Sequence, residues 1–445
     1  MKFIETCKNI WKIEDLRNRL LTTLLFVLVY RFGSFIVLPG IDPAALTALQ
    51  DQTAGGLMAL LDMFSGGAFS NASIFALGIM PYISASIVVQ LLSIAVPYFQ
   101  KMQKEGESGR QKMNQITRWL TVAILLLQGP SYLYNLSHQM GVGFETSFVV
   151  SSTLILCAGS MFVMWLGERI TDKGIGNGIS FIILIGIIAR FPGALLQEFT
   201  KRVTGTETAG GPIIFVAEIV VLILVFAFAI MLVQGTRKIP VQYAKRMVGN
   251  RQYGGVRQYI PLKVNAANVM PIIFAQAIMF IPVALAGLFQ TEGSSAFAIA
   301  FMDNNGFWYN LVFALLIIAF TYFYTAVIIN PVQMAENLKL NNGFIPGVKP
   351  GKKTAEYIDG VMDRITLPGS ILLAIIAILP AFARMPIFGV DAGFAQFFGG
   401  TSLLIMVGVI LDTLQQIESH LLMRHYDGFF ESGMRIKGRS GAMAY

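Results

Sequence analysis

Ionisable side chains inside apolar stretches are the residues most able to do chemistry here, and they are few. Arg31, Glu218 and Asp412 lie within long apolar runs, and Glu168 lies at the edge of another. Charged groups inside a membrane are costly and usually mark ion or proton pathways. A proton-coupled carrier typically has a chain of acidic or histidine residues deep in the membrane, and this sequence shows none. A structural role is therefore expected for Arg31, which could bond to backbone carbonyls or to a carboxylate.

Motifs for nucleotide or hydrolytic chemistry are not supported by the sequence. Gly174–Ser180 (GIGNGIS) follows an apolar helix rather than a strand, and Pro350–Thr354 (PGKKT) lacks the spacing of a phosphate-binding loop. The three histidines form no HExxH motif, and there is no GxSxG motif. Cys7 and Cys157 have no metal-ligand spacing. We expect no enzyme activity, no cofactor and no metal.

The composition is that of a multi-pass membrane protein. Hydrophobic residues make up 55% of the chain, charged residues 13%, and the mean hydropathy is +0.64. Soluble domains are about a quarter charged. The segment up to Arg19 is charged and lacks a cleavage site, so the first helix is expected to be retained. Ten runs are predicted to span: about 20–38, 74–96, 119–136, 148–167, 178–190, 212–234, 266–289, 308–329, 366–383 and 402–422.

Lysine and arginine predict the orientation, because basic residues accumulate in cytoplasmic loops. The chain has 33 of them, and they cluster before the first run, after even-numbered runs and in the tail. Both termini are therefore placed in the cytoplasm. The exceptions lie within the first run or on the opposite side: Arg31, Arg190, Lys201, Arg202 and Arg384.

Ten spans divide into two halves of five, and an odd number per half makes the second half enter from the opposite side. Such inverted repeats build a path between two halves in many membrane folds. The predicted division is a cytoplasmic segment 1–19, an N-terminal half 20–190, a C-terminal half 191–422 and a cytoplasmic tail 423–445.

The stretch Leu57–Pro97 is too long for one span and too polar at its start. One helix needs about 20 residues to cross a bilayer. Residues 58–72 carry Asp62, serines and paired glycines, so they are not expected to cross. Backbone at membrane depth that is not a full helix is tolerated only inside protein or against a water-filled cavity. Residues 58–72 are therefore predicted to be re-entrant, beside a cavity.

The second part of that stretch places isoleucines on one helix face. Ile79 and Ile83 are four residues apart, and Ile87 and Gln90 continue the same side. Stiff β-branched side chains pointing inward would line a narrow apolar throat. The alternative is that they contact lipid or a neighbouring helix.

Two long basic loops, 235–265 and 330–365, are predicted on the cytoplasmic face. The first interleaves aromatic residues with Lys245, Arg246 and Arg251, a composition that suits an RNA-rich or acidic partner. The second presents Lys349 on a tip stiffened by proline and glycine. Both could be ordinary positive-inside loops, but two such loops on one face favour a docking platform.

Long motifs across the chain resemble one family, the SecY channel subunits of the bacterial protein translocase. The similarity covers nearly the whole chain. Its motifs are YRFGSFIVLPGID at Tyr30–Asp42, the run Asp62–Ile87, KEGESGR at Lys104–Arg110, MWLGERIT at Met164–Thr171, GIGNGIS, IPLKVN at Ile260–Asn265, the run Asn330–Leu338 and FGGTSLLI at Phe398–Ile405.

The resemblance implies an all-α membrane protein in which ten helices form two inverted halves around an hourglass pore. Residues about 60–72 would be a plug that includes Phe64, Ser65, Gly66 and Gly67. A constricting ring, here called the collar, would comprise Ile79, Ile83, Ile183, Ile273 and Ile405. Helices two and three would face helices seven and eight across a lateral gate, with Ser84, Gln90 and Gln276 as its polar groups.

The resemblance further implies a channel in the bacterial plasma membrane that passes unfolded secretory polypeptides and signal sequences outward, or sideways into lipid. The implied partners are SecE and SecG in the membrane, and the SecA ATPase or the ribosome on the two large loops. This chain has Lys349 and Asn250 where the family usually has arginine, and lysine cannot make arginine's two-pronged contact.

A secondary transporter for a small solute is the alternative, because inverted halves also suit that class. The two classes differ at mid-membrane: a transporter needs polar ligands there, whereas a polypeptide channel needs an aliphatic collar and a stopper.

Overall fold

The fold is mostly helical, with long helices packed side by side around a central cavity. We describe it from a computed structural model. The described residues are 13–41, 62–141, 143–204, 211–243, 246–248, 251–253, 257–267, 269–276, 278–279, 306–385 and 388–431.

The first half of the chain contributes six described helices. Five of them correspond to the first five predicted runs, and the short helix α3 follows the second run. They are α1 Glu14–Gly33, α2 Met80–Ala95, α3 Pro97–Lys104, α4 Glu107–Met140, α5 Thr146–Lys173 and α6 Gly178–Thr204.

The second half contributes α7 and the helices after it. Residues 270–276 are also helical and belong to the seventh predicted run, of which residues 280–289 lie outside the described residues. The named helices are α7 Gly211–Gln234, α8 Phe307–Ile328, α9 Pro331–Leu340, α10 Lys352–Ala383, α11 Ala392–Ala395 and α12 Gly400–Glu431.

Two predicted helix boundaries were wrong. Residues 74–79 form turns, and α2 begins only at Met80, because Gly78 has a φ of 53° and Pro81 fits the first helical turn. The fifth run is not short, since α6 continues past Pro192 to Thr204. Membrane helices tolerate an internal proline where neighbouring groups satisfy the freed carbonyl.

Six described helices are long and apolar enough to cross a membrane. They are α5, α6, α7, α10, α12 and the stretch Phe307–Leu340. A seventh crossing is possible if α2 and α3 count as one broken span, with a bend of 101° between them at Pro97. Helices α1 and α4 cover the first and third predicted runs, but both carry polar ends.

The loops between the sixth and ninth runs form β-structure, which the all-helical prediction did not include. Strand β1 (Thr236–Tyr243) pairs antiparallel with β4 (Arg257–Lys263), and β2 (Arg246–Val248) pairs with β3 (Arg251–Tyr253). Strand β5 (Gly343–Phe344), from the second long loop, adds to the free edge of β1. The two loops are therefore one structural unit.

The largest buried cluster lies where α5, α6 and α12 meet the residues before α2. It includes Phe64, Ile79, Ile183 and Ile405, each less than 10% exposed. A separate cluster fills the second half between α7, α8, α10 and α12. The first cluster surrounds the site described next.

Candidate functional site

A cavity of about 400 Å³ lies at the centre of the helical bundle. Its walls come from α2, α6, α12 and the helical segment 270–276, so both halves of the chain contribute. The lining mixes aliphatic groups with neutral polar ones such as Gln90, Asn177 and Asn265, and with the carboxylate of Asp412. Its volume and mixed lining are those of a ligand-binding cavity.

Isoleucines from both halves of the chain line this cavity. They are Ile83, Ile183, Ile273 and Ile405, one from each of the four wall elements. Ile183 and Ile405 also belong to the buried cluster that contains Ile79 and Phe64. Ile79 is the residue before α2, and its carbonyl accepts the amide N–H of Ile83 at 3.1 Å. Four of the five predicted collar residues therefore line the same cavity, and the fifth, Ile79, lies in the adjoining buried cluster.

Residues 62–72, here called the re-entrant segment, lie inside the bundle rather than along its surface. Asp62, Phe64, Ser65 and Ala68 are all less than 10% exposed. After one short helical turn the segment is built of turns, and its end pairs with the chain after α1 through an N–H···O bond of 2.9 Å from Leu38 to Ala72. Residues 58–61 of the predicted segment lie outside the described residues.

Side chains from the end of α1 bond to carbonyls of the re-entrant segment. The hydroxyl of Tyr30 donates to the carbonyl of Ser65 at 3.1 Å, and Nη1 of Arg31 donates to that of Gly66 at 2.9 Å. The expectation that Arg31 bonds to backbone carbonyls is confirmed. Turn carbonyls that are buried away from water need such donors, because a buried carbonyl without a hydrogen bond costs about 1–3 kcal/mol in stability.

Two further helices, α4 and α6, also bind this segment; its polar contacts with α1, α4 and α6 are here called the seat. On α4 the hydroxyl of Tyr132 donates to the carbonyl of Phe69 at 2.8 Å. On α6 Arg190 forms an ion pair with the buried carboxylate of Asp62 and donates to Oγ of Ser70 at 2.8 Å. Three helices therefore hold one segment of eleven residues by polar contacts.

Close backbone contact between the re-entrant segment and α6 explains Gly66 and Gly186. Gly66 has a φ of 65°, which is strained for any residue with a Cβ. A Cβ on Gly66 would lie 2.8 Å from Cα of Gly186, and a Cβ on Gly186 would lie 2.8 Å from the carbonyl oxygen of Phe64. Larger residues at either position would push the segment out of its seat.

Sequence comparison agrees with this geometry. The SecY family model matches residues 73–414. The protein translocase subunit SecY of Streptomyces scabiei is 44% identical over 439 residues, which cover 94% of this chain and 98% of the relative. Its counterpart in Aquifex aeolicus is 40% identical over 433 residues, covering 96% and 99%.

The chain belongs to the SecY family. Solved structures agree on the fold: a protein-conducting channel has a TM-score of 0.60 at 18% identity, covering 91% of this chain and 92% of its own. Sec61 from a canine ribosome-channel complex has a TM-score of 0.57 at 17% identity, with the same coverage. The predicted all-α channel fold is confirmed, and the small-solute transporter is not favoured.

In the SecY fold the predicted gate residues fall into two places. Gln90 on α2 lines the central cavity, and its Oε1 accepts a hydrogen bond of 2.9 Å from the hydroxyl of Tyr324 on α8. Ser84 is half-buried on α2. Gln276 instead lines a separate cavity of about 110 Å³ beside Arg384. The sequence did not single out Tyr324, although a tyrosine within an apolar run was a signal.

The predicted docking residues lie in or near the joined loops. Lys349 is exposed, and its carbonyl accepts a hydrogen bond of 2.9 Å from Oγ1 of Thr354 at the start of α10. Arg246 and Arg251 lie in the paired strands β2 and β3, whose side chains are not described. Lys245 lies outside the described residues, as does Asn250. A buried core of Ile239, Leu262 and Ile345 ties the loops together.

A buried ion cluster that sequence reasoning missed joins α6 and α7. Arg202 Nε donates to Glu198 at 2.7 Å, and its Nη2 donates both to Glu218 and, at 2.7 Å, to the carbonyl of Phe388. The amide N–H of Asp391 donates to Glu198 at 2.8 Å. Glu198 and Arg202 are four residues apart on one helix, and this spacing was a sequence signal for their ion pair. Glu218 is thus a structural residue.

Proposed function

We propose that this chain conducts unfolded secretory polypeptides across the bacterial plasma membrane. The SecY family, to which it belongs, is named for protein translocation. The polypeptide enters the central cavity, passes the isoleucine collar and displaces the re-entrant segment, which acts as the plug. This chain performs no bond chemistry itself, and a partner supplies the energy.

The observation that carries the proposal is the backing of the collar by the re-entrant segment. Ile183 and Ile405 line the cavity and belong to the same buried cluster as Phe64 of the re-entrant segment. An apolar constriction resists ions by dewetting. Aliphatic side chains have no fixed ligand geometry, so they can yield to any extended chain.

Sideways release of apolar segments requires the two halves to part along one wall. The hydrogen bond from Tyr324 to Gln90 joins a helix of each half at the cavity. We assign Ser84, Gln90 and Tyr324 to this lateral gate. Gln276 lines a different cavity from Gln90.

The proposed orientation places both termini and the joined loops in the cytoplasm. The N-terminal half then comprises residues 20–190 and the C-terminal half residues 191–422, with cytoplasmic segments 1–19 and 423–445. Lys349, Lys245, Arg246 and Arg251 would dock the SecA ATPase or the ribosome, and SecE and SecG would bind within the membrane. A solved Sec61 channel of the same fold comes from a ribosome-channel complex, which supports a ribosome as a partner.

A crosslinking experiment tests the proposal. A photoreactive amino acid is placed at Ile83, in the complex with its partner subunits, and a secretory chain is stalled during export. Ile188 on α6, which is 41% exposed, is the control position. We expect crosslinks to the stalled chain from position 83 and none from position 188. Absence of crosslinks from position 83, with translocation otherwise active, would contradict the proposal.

A further inference from the structure

The ion pair between Asp62 of the re-entrant segment and Arg190 of α6 is supplemented by a hydrogen bond from Arg190 to Ser70. Asp62 is a carboxylate whose side chain is 2% exposed, at the first described position of the segment. Burial of an unpaired carboxylate is strongly unfavourable, so Asp62 needs its partner. Arg190 is the partner, and it projects from a helix that is otherwise apolar around it.

Asp62 and Arg190 are linked through a third residue as well as directly. The amide N–H of Ser70 donates to Oδ1 of Asp62 at 2.8 Å, while Oγ of Ser70 accepts from Nη2 of Arg190 at 2.8 Å. Arg190 therefore contacts both ends of the turn that Asp62 closes. The same guanidinium that neutralises the carboxylate also binds the segment to α6.

This arrangement divides the seat into two kinds of contact. Tyr30, Arg31 and Tyr132 bond to backbone carbonyls, which any sequence in the segment would present. Arg190 bonds instead to two side chains, those of Asp62 and Ser70. The contact on α6 therefore depends on the sequence of the segment.

We infer that Asp62, Ser70 and Arg190 form an ionic catch that sets how readily the channel opens. The inference rests on the proposed function and names the residues that position the plug. Moving the segment breaks the pair and leaves Arg190, whose side chain is 40% exposed, able to reach water. Asp62 must then find water or another donor. The catch favours the seated conformation until an incoming polypeptide displaces the segment.

The test measures resting ion flux through the complete channel complex reconstituted in lipid vesicles. The variants are Asp62→Asn, Arg190→Gln, the double variant and Arg190→Lys, with Arg384→Gln, directly after α10, as an arginine control. Each single neutral variant should raise the flux about tenfold, because one partner of a buried pair is lost. The double variant should exceed neither single variant, and Arg190→Lys should restore most of the seal.

Ser70→Ala extends the test, since it removes one hydroxyl and little packing. We expect a rise in flux of roughly threefold from the lost charge-assisted hydrogen bond. If Asp62→Asn or Arg190→Gln fails to assemble, the flux through Ser70→Ala still tests the catch. The catch would be overturned if the two single-variant increases in flux added up in the double variant. It would also be overturned if Ser70→Ala and every single variant that assembles left the flux unchanged.

Two further variants separate failure of the catch from failure of the proposed function. Deletion of residues 62–72 removes the whole segment, and Ile83→Ser opens the collar. If these raise the flux while the catch variants do not, the channel proposal stands and the catch is wrong. If all variants leave the flux unchanged, the channel proposal fails as well.

Discussion

Tyr324 of α8 and Gln90 of α2 are joined by a hydrogen bond of 2.9 Å between the tyrosine hydroxyl and the amide oxygen. The two residues are 234 positions apart and belong to different halves of the chain. The Tyr324 ring also packs on Phe274, with ring centroids 5.8 Å apart, so the hydroxyl is held in place. This contact joins the two halves at the lateral gate proposed above.

Loss of that hydrogen bond should ease opening of the gate. A net contribution of about 0.5–1.5 kcal/mol predicts a two- to tenfold rise in gate opening for Tyr324→Phe. The measurement is the rate of disulfide formation between cysteines placed across the gate, which should fall as the gate opens. Gln90→Leu should give a similar change, and the double variant should add little. Equal rates in Tyr324→Phe and the parent would refute this role.

The collar should control ion leakage. Ile83→Ser with Ile183→Ser places hydroxyls in the constriction, so water and ions enter more readily, and we expect leakage to rise by roughly tenfold. Conductance of reconstituted vesicles measures it. Ile188→Ser, on the exposed side of α6, is the matched control and should leave leakage unchanged. Leakage equal to that of the control would count against the collar.

The buried ion cluster should stabilise the junction of α6 and α7. Arg202→Met leaves Glu198 and Glu218 buried without their cation, which predicts a loss of about 3–5 kcal/mol in the free energy of unfolding. Thermal denaturation in detergent would show a lower Tm. Lys201→Met removes a neighbouring exposed cation whose Nζ donates to the carbonyl of Gly389 at 3.1 Å, and the expected loss is smaller, about 0.5–1.5 kcal/mol. Equal Tm values for the two variants would contradict the assignment.

Lys349 should contribute to docking of a motor ATPase. Lys349→Glu reverses a charge on an exposed tip, and we expect stimulation of the partner's ATPase to fall by at least about tenfold. Lys353→Glu is the control, since Lys353 is exposed on the first turn of α10. Normal stimulation by Lys349→Glu, with the control also normal, would remove Lys349 from the docking surface.

The position of most membrane helices could be predicted from composition alone. A continuous run of about 20 apolar residues has the length of a membrane-spanning helix, which satisfies every backbone polar group within the segment itself. The same rule predicted that the polar residues 58–72 must be buried in protein, and residues 62–72 are so buried. The start of α2 was not predicted correctly: the helix begins at Met80 because of the backbone conformation of Gly78 and the position of Pro81.

What the sequence could not determine was which distant residues become partners. Asp62 and Arg190 are separated by 128 positions, and Gln90 and Tyr324 by 234, so no local periodicity links them. The strands between the sixth and seventh runs were missed because β5 arrives from the second long loop to complete their sheet. By itself the sequence determined which segments are apolar enough to be buried or to face lipid. Only the tertiary structure decided how the remaining polar groups are satisfied, because their partners come from helices that packing alone brings together.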